Sequence, residues 1–265
     1  MTYCVAIALD EGLIFASDSR TNAGADQVST YSKMHTFDME RERVFVMLAA
    51  GNLATTQAVL NRLKRDMEDG AEESLYTVQY MSEAAAYVGR LNREEQEKHT
   101  DALTKAGFTS DASFILGGQI EQGTPEIFMI YPQGNYITTS EQTPFLQIGE
   151  SKYGKPVLDR IIRPETSLGD AARCALVSID STMHSNVTVG PPIEVMVYEK
   201  GKLAFDHYLC MENDDAYLLT LKRAWDENIK KAFQDLPRFD WESAQGRKRG
   251  GTQVSTRKKA PKKKK

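Results

Sequence analysis

The stretch Met1-Thr2-Tyr3-Cys4-Val5-Ala6-Ile7-Ala8-Leu9-Asp10-Glu11-Gly12-Leu13-Ile14-Phe15-Ala16-Ser17-Asp18-Ser19-Arg20 decides how the rest of the chain is read. Tyr3, Val5, Ile7 and Leu9 alternate with small residues. Asp10-Glu11-Gly12 is a turn signal, and Leu13-Ile14-Phe15-Ala16 resumes the apolar run. This predicts two short strands joined by a tight turn. Thr2 stands directly behind the initiator methionine. Aminopeptidases remove Met before a small residue such as Thr, which leaves Thr2 with a free α-amine beside its own hydroxyl. Such an amine titrates at about pH 8. It can take the hydroxyl proton and make Oγ a nucleophile, so one residue supplies both nucleophile and base.

Asp18 closes the second predicted strand, and Lys33 follows in Ser32-Lys33-Met34. A lysine near the hydroxyl lowers its pKa and steadies developing negative charge. A carboxylate keeps that lysine charged and oriented. Taken alone, Asp18 reads equally well as a turn residue and Lys33 as a solvated charge. Further on, Arg43-Val44-Phe45-Val46-Met47-Leu48-Ala49-Ala50 reads as a buried strand that delivers Gly51, and Asn52 to Met67 has a helical pattern with a stop at Gly70. A strand running into a helix through glycine suits an anion-stabilising amide, because the first helical amides have no internal partner. A plain turn glycine fits the same pattern.

These stretches, taken in order, resemble the start of a mature proteasome β subunit. The shared pattern is an N-terminal Thr, an apolar strand, a turn Gly, and A-x-D-x-R in Ala16 to Arg20. Ser32-Lys33-Met34 resembles that family's lysine segment, with one residue fewer in the loop before it. Ala49-Ala50-Gly51-Asn52-Leu53-Ala54 resembles its A-G-x-x-A, and Ile115-Leu116-Gly117-Gly118 through Pro132-Gln133-Gly134 its glycine–proline ribbon. The likeness runs from residue 2 to about residue 210. Within the superfamily, Ser17 to Gly24, Ser29 to Phe37 and Asp180 to Pro192 look like a bacterial homologue of the proteasome.

The resemblance implies an α+β fold, the four-layer αββα sandwich of the N-terminal nucleophile hydrolases. It implies catalysis by Thr2, Asp18, Lys33 and the Gly51 amide, with neither cofactor nor metal. Ser151 is retained from the family's G-S-G-S stretch, whose first serine falls here on Gly149. Asp180 and Ser185 are candidates for the family's D-x-x-S, at a longer spacing. Ala49 and Leu53 fall where the family lines its first specificity pocket, and Arg20 and Thr21 border it. The implied function is a threonine peptidase in a self-assembled ring or spiral, acting on a peptide or protein. An amidase for a small or modified peptide, and a weakly active scaffold, are the alternatives.

Composition agrees with a globular chain. Of 265 residues 41% are hydrophobic and 26% charged, enough for a sizeable core. Absence of a long apolar run and of a leader points to a cytoplasmic protein without a membrane partner. The three cysteines (Cys4, Cys174, Cys210), scattered in apolar contexts, read as reduced core thiols. Ten Lys or Arg and no acid follow Ser243, leaving 23 basic against 37 acidic residues in the body, a net −14. We therefore expect a hydrolase domain over 1–210, a helical extension over 211–242 and a disordered basic tail over 243–265 for which nucleic-acid binding is not the favoured role. Two helix pairs are expected between strand groups: Asn52–Met67 with a helix opening at Glu72, and Ser151–Ile162 with Leu168–Met183. His99–Ser110 is expected as a loop, Leu203–Tyr208 as the last strand and Asp214–Leu236 as a third helical region.

Overall fold

The computed structural model describes residues 1–22, 28–39, 41–205, 207–239 and 241–242. The expected basic tail over 243–265 lies outside the described residues, as do Ala23 and Gly24 of the quoted motif.

Strands β1 (Tyr3–Leu9) and β2 (Gly12–Asp18) form the expected hairpin, with Leu9 opposite Gly12. They are the middle of a five-stranded antiparallel sheet. β10 (Phe145–Gly149) pairs with β1, β11 (Ile193–Glu199) pairs with β2, and β12 (His207–Met211) forms the edge. The second five-stranded sheet is a meander of β5 (Met34–Met39), β6 (Arg43–Gly51), β7 (Ala112–Ile120), β8 (Glu126–Ile130) and β9 (Tyr136–Thr138). A small hairpin, β3 (Arg20–Asn22) with β4 (Val28–Thr30), joins the two.

Side-chain alternation dictates the layers. In β1, Tyr3, Val5 and Ile7 point to one core while Cys4 and Ala6 point to another. The first core is closed by α4 (Lys155–Ile161) and α5 (Leu168–Ser185), through Leu158, Cys174, Ala175 and Ile179. The second lies between the sheets, where Phe15 meets Val46 and Ile115. A third core covers the far sheet with α1 (Leu53–Glu68) and α2 (Met81–Glu97). Both sheets are covered on both faces, so every residue of β2 is buried. This is the four-layer αββα sandwich of the α+β class.

Several boundaries differ from expectation for local reasons. Residues 71–80 are not helical. There the Ser74 hydroxyl accepts from the Tyr76 amide, Thr77 Oγ1 accepts from the Ser74 amide, and Arg43 binds the Leu75 and Val78 carbonyls, so helix begins only at Met81. The segment 99–110 contains a short helix, α3 (Thr100–Lys105), with no buried residue and hence no apolar periodicity to betray it. The last strand starts at His207, because Leu203 takes φ +48° while its amide binds the Tyr198 hydroxyl. Cys210 lies exposed on edge strand β12 and is not a core thiol, whereas Cys4 and Cys174 are buried.

The chain divides into two compact units, Met1–Lys222 and Arg223–Lys265. Helix α6 (Ala216–Gln234) begins in the first unit, where Leu218 is buried and Leu221 packs on the α5 core. In the second unit Ile229, Phe233, Leu236 and Trp241 are exposed. Among the described residues no helix is long and apolar enough to cross a membrane.

Candidate active site

Thr2 sits at the open end of the first sheet, one residue before β1. The strand register fixes it there: Tyr3 pairs with Gly149, and the Glu150 amide donates to the Thr2 carbonyl at 2.7 Å. Gly149 has φ +84°, and a Cβ on it would lie 2.0 Å from that carbonyl oxygen. Only glycine lets β10 close this tightly on the terminus. The next residue, Tyr3, is fully buried, with its hydroxyl bonded to Ser178 and to Gln147.

Asp18 and Lys33 arrive from the ends of β2 and of the segment before β5. Lys33 Nζ donates to Asp18 Oδ1 at 2.6 Å and to the Arg20 carbonyl at 2.7 Å. Asp18 also accepts from the Tyr3 amide at 2.9 Å and from the Gly190 amide at 3.1 Å. Burial pushes the Asp18 pKa up, and Lys33 and the two amides oppose that shift. Three donors on one carboxylate suit its ionised, acceptor-only form. The Tyr3 bond ties this pair to the residue that follows Thr2, and Thr2 and Lys33 line one cavity.

The terminal amine, here on Met1, titrates below its ordinary value of 8.0. Burial is the main cause and Lys33 adds to it, while Asp18 and Glu150 pull the other way. An amine in this position is therefore readily neutral and able to accept a proton.

Gly51 ends β6 opposite Ala112. Its neighbour Asn52 forms the hydrogen-bonded pair, donating to the Asp111 carbonyl at 2.8 Å. Gly51 is then at a non-bonded position of the ladder, and its N–H points away from β7. It points to the side on which Ala49 donates to the Lys33 carbonyl at 2.9 Å. Gly51 has φ +112°, and a Cβ there would lie 2.3 Å from the Asp111 oxygen. Asn52 caps α1, accepting from the Ala54 and Thr55 amides, so its side chain stays with the helix.

The cavity of about 520 Å³ is lined by Thr2, Thr21, Ala49, Ala50, Leu53 and Leu60, with Tyr31, Ser32, His35, Thr56 and Gln57 supplying its polar groups. Arg20 contributes its carbonyl to Lys33, but its guanidinium turns away, donates to the Val187 carbonyl at 2.7 Å and packs on Gly190. It lines a different depression, shared with Ser185 and Lys222. Ser151 is partly buried just beyond Glu150, and its carbonyl receives the Lys155 amide. Asp180 forms an ion pair with Lys222 at 3.6 Å. The structure thus brings Thr2, Lys33, Gly51, Thr21, Ala49 and Leu53 to one cavity, with Asp18 behind Lys33, and leaves the Arg20 side chain, Ser151, Asp180 and Ser185 outside its lining.

Sequence reading missed Glu150 and His35. The Glu150 side chain is 8% exposed and lies close enough to the terminal amine to raise its pKa. Its signal was an acid set between a buried strand and a helix. His35 lies in the cavity wall on β5, where burial, and then Lys64, lower its pKa.

The model of the proteasome subunit family matches residues 2–198. Anbu (ancestral beta-subunit) from Yersinia bercovieri is 41% identical, with 90% of this chain and 98% of that chain covered and a TM-score of 0.84. The helical assembly of the Anbu complex from Pseudomonas aeruginosa gives 44% identity, coverage of 89% and 98%, and a TM-score of 0.84. Anbu from Hyphomicrobium sp. strain MC1 gives 41%, coverage of 90% and 99%, and 0.82. No curated protein matches the chain. With the sandwich, the terminal threonine's setting and these likenesses in agreement over most of its length, the chain belongs to the proteasome subunit family of N-terminal nucleophile hydrolases, in its Anbu branch.

Proposed function

We propose that the chain is a threonine peptidase whose nucleophile is Thr2 Oγ, working within a homo-oligomeric spiral. The observation that carries the reading is the buried Lys33–Asp18 pair, tied through the Tyr3 amide to the residue after Thr2 and sharing a cavity wall with Thr2.

With Met1 removed, the α-amine of Thr2 takes the hydroxyl proton as Oγ adds to the carbonyl carbon of a peptide bond. The Lys33 cation favours the nascent alkoxide, and Asp18 holds that cation in place. The oxyanion receives the outward N–H of Gly51. The amine returns its proton to the leaving nitrogen, an acyl ester remains on Thr2, and water activated by the same amine releases it. The apolar wall of Ala49, Ala50, Leu53 and Leu60 suits an apolar side chain beside the scissile bond. Self-association is supported by the helical assembly formed by the Pseudomonas aeruginosa relative.

The test is intact mass before and after incubation with a β-lactone, with Thr2→Ala as control. Loss of Met1 and one adduct, absent from the variant, is expected. Retained Met1, or a processed chain that never acylates, would sink the nucleophile. Sedimentation at rising concentration tests assembly, and a monomer at every concentration would rule the spiral out.

A further inference from the structure

Strand β11 reads Ile193-Glu194-Val195-Met196-Val197-Tyr198-Glu199, with Glu194 set among its apolar residues and Glu199 closing it. Glu194 pairs with Ser17 in the register and is 5% exposed. Among the described residues it has no ion-pair partner. A buried carboxylate in that position costs several kcal/mol unless its oxygens are filled. Three hydroxyls fill them. Ser19 Oγ donates to Oε2 at 3.1 Å, Tyr208 Oη to Oε1 at 2.6 Å, and Ser32 Oγ lies 2.9 Å from both oxygens.

Two of those donors have telling addresses. Ser19 directly follows Asp18, and Ser32 directly precedes Lys33. The backbone strengthens the link, since the Tyr31 amide donates to the Ser19 carbonyl at 3.0 Å. Ser32 Oγ also accepts from the Met34 amide at 3.2 Å, which fixes the turn on both sides of Lys33. Tyr208 reaches Glu194 from the edge strand. Burial, then its bond to Glu194, raises the Tyr208 pKa, so this hydroxyl stays a donor. An apolar residue at position 194 would fill the strand at lower cost, so the carboxylate needs a reason beyond packing.

We propose that Glu194 is a positioning residue that clasps the segment after Asp18 to the segment before Lys33, and so holds Lys33 Nζ at Thr2. This rests on the reading of Thr2 as nucleophile. Glu194 is not among the residues lining the cavity and meets its wall through Ser32, so its part is to position Lys33.

The test compares Glu194→Leu, Glu194→Gln, Ser32→Ala and Tyr208→Phe with the parent chain. The rate of Thr2 acylation is followed by intact mass across β-lactone concentrations, which separates the limiting rate from half-saturation. Labelling of the Lys33 amine by acetic anhydride, mapped by mass, reports lysine position without any activity. Glu194→Leu is expected to lower the limiting rate about a hundredfold, the effect of a misplaced group of about 1 Å. Half-saturation stays unchanged and Lys33 labelling rises. Glu194→Gln, which keeps one acceptor oxygen, is expected to lose less, and Ser32→Ala and Tyr208→Phe to fall in the same direction. A folded Glu194→Leu chain with parental limiting rate and parental Lys33 labelling overturns the proposal. Should that variant not fold, parental rates and labelling in both Ser32→Ala and Tyr208→Phe overturn it instead. A parent chain that never acylates, while Lys33 labelling still rises in the variants, removes the nucleophile reading and leaves the clasp standing.

Discussion

Two lysine–aspartate pairs in this molecule have nearly the same geometry. Lys33 Nζ lies 2.6 Å from Asp18, with side-chain exposures of 8% and 0%. Lys230 Nζ lies 2.5 Å from Asp226 on α6, with exposures of 68% and 62%. Coulomb's law treats them alike, and water does not. The α6 pair keeps its hydration and is worth about 0.3–0.5 kcal/mol. The buried pair has given up several kcal/mol of hydration per ion. It regains this only through short contacts with each other and with the Tyr3 and Gly190 amides and the Arg20 carbonyl. A pair of apolar residues would serve stability as well. The difference teaches that the buried pair needs a reason beyond stability, which the proposed chemistry at Thr2 supplies, while the exposed pair needs none beyond the helix surface.

The largest expected effect breaks the buried pair. Lys33→Met leaves Asp18 without its cation, and should cost about 3–5 kcal/mol in urea unfolding while abolishing acylation of Thr2. The double variant Asp18→Leu/Lys33→Met sharpens the point. It should regain most of the lost stability and none of the acylation. A double variant as unstable as the single one would mean that the ions themselves hold the fold together, against the comparison just drawn.

Next in size is the close approach beside Thr2. Gly149→Ala places a Cβ 2.0 Å from the Thr2 carbonyl oxygen at φ +84°. We expect a loss of about 1–3 kcal/mol, the usual cost of a strained backbone position. Acylation should slow as well, because β10 must retreat from the terminus. Unfolding midpoints and acylation rates unchanged from the parent would show that the register at Thr2 is looser than drawn.

How much of this was legible in the sequence follows from where each residue lies. Thr2, Asp18 and Lys33 belong to consecutive N-terminal segments, and hairpin and sheet pairing bring their ends together almost automatically. Gly51 was marked by a strand running into a helix through glycine. Glu150 and Glu194 were not read, since a buried acid has meaning only through partners far along the chain: Thr2 for Glu150, 148 positions away, and Ser32 and Ser19 for Glu194, 162 and 175 positions away. Glu194 did carry a local signal, a charge at an inward position of an apolar strand. The family resemblance placed Arg20 at the border of the pocket, yet strand alternation delivers its carbonyl to Lys33 and its guanidinium to Gly190. The irregular segment 71–80 was misread because Ser74 and Thr77 compete for backbone bonds, which composition does not reveal.

A smaller effect concerns pH. The terminal amine titrates below 8.0, chiefly through burial and then Lys33, and Glu150 counteracts both. Once Met1 is removed, the Thr2 amine is expected to meet the same burial and the same charges, Asp18 included. The acylation rate should follow the neutral amine and rise with pH through that lowered pKa. Glu150→Gln removes an anion that stabilises the protonated amine, so the midpoint should move to still lower pH. A midpoint that moves up, or stays, would mean that Glu150 does not act on the amine. The same profile in Thr2→Ser, which keeps amine and hydroxyl, should retain its shape.

The smallest effect tests the exposed member of the comparison. Lys230→Gln keeps a good helix former on α6 and removes only the charge. The expected change is under about 0.5 kcal/mol, with acylation unaltered. Its salt dependence carries the argument further. At 1 M salt the screening length is about 3 Å, so exposed charges are largely screened and buried ones much less. A double-mutant cycle on Lys230 and Asp226 should therefore give a coupling that vanishes in 1 M salt. The cycle on Lys33 and Asp18 should give a coupling that survives it. Loss of both couplings in salt would mean that water and ions reach Asp18 freely. Lys33 would then be an ordinary solvated cation, too well screened to activate Thr2.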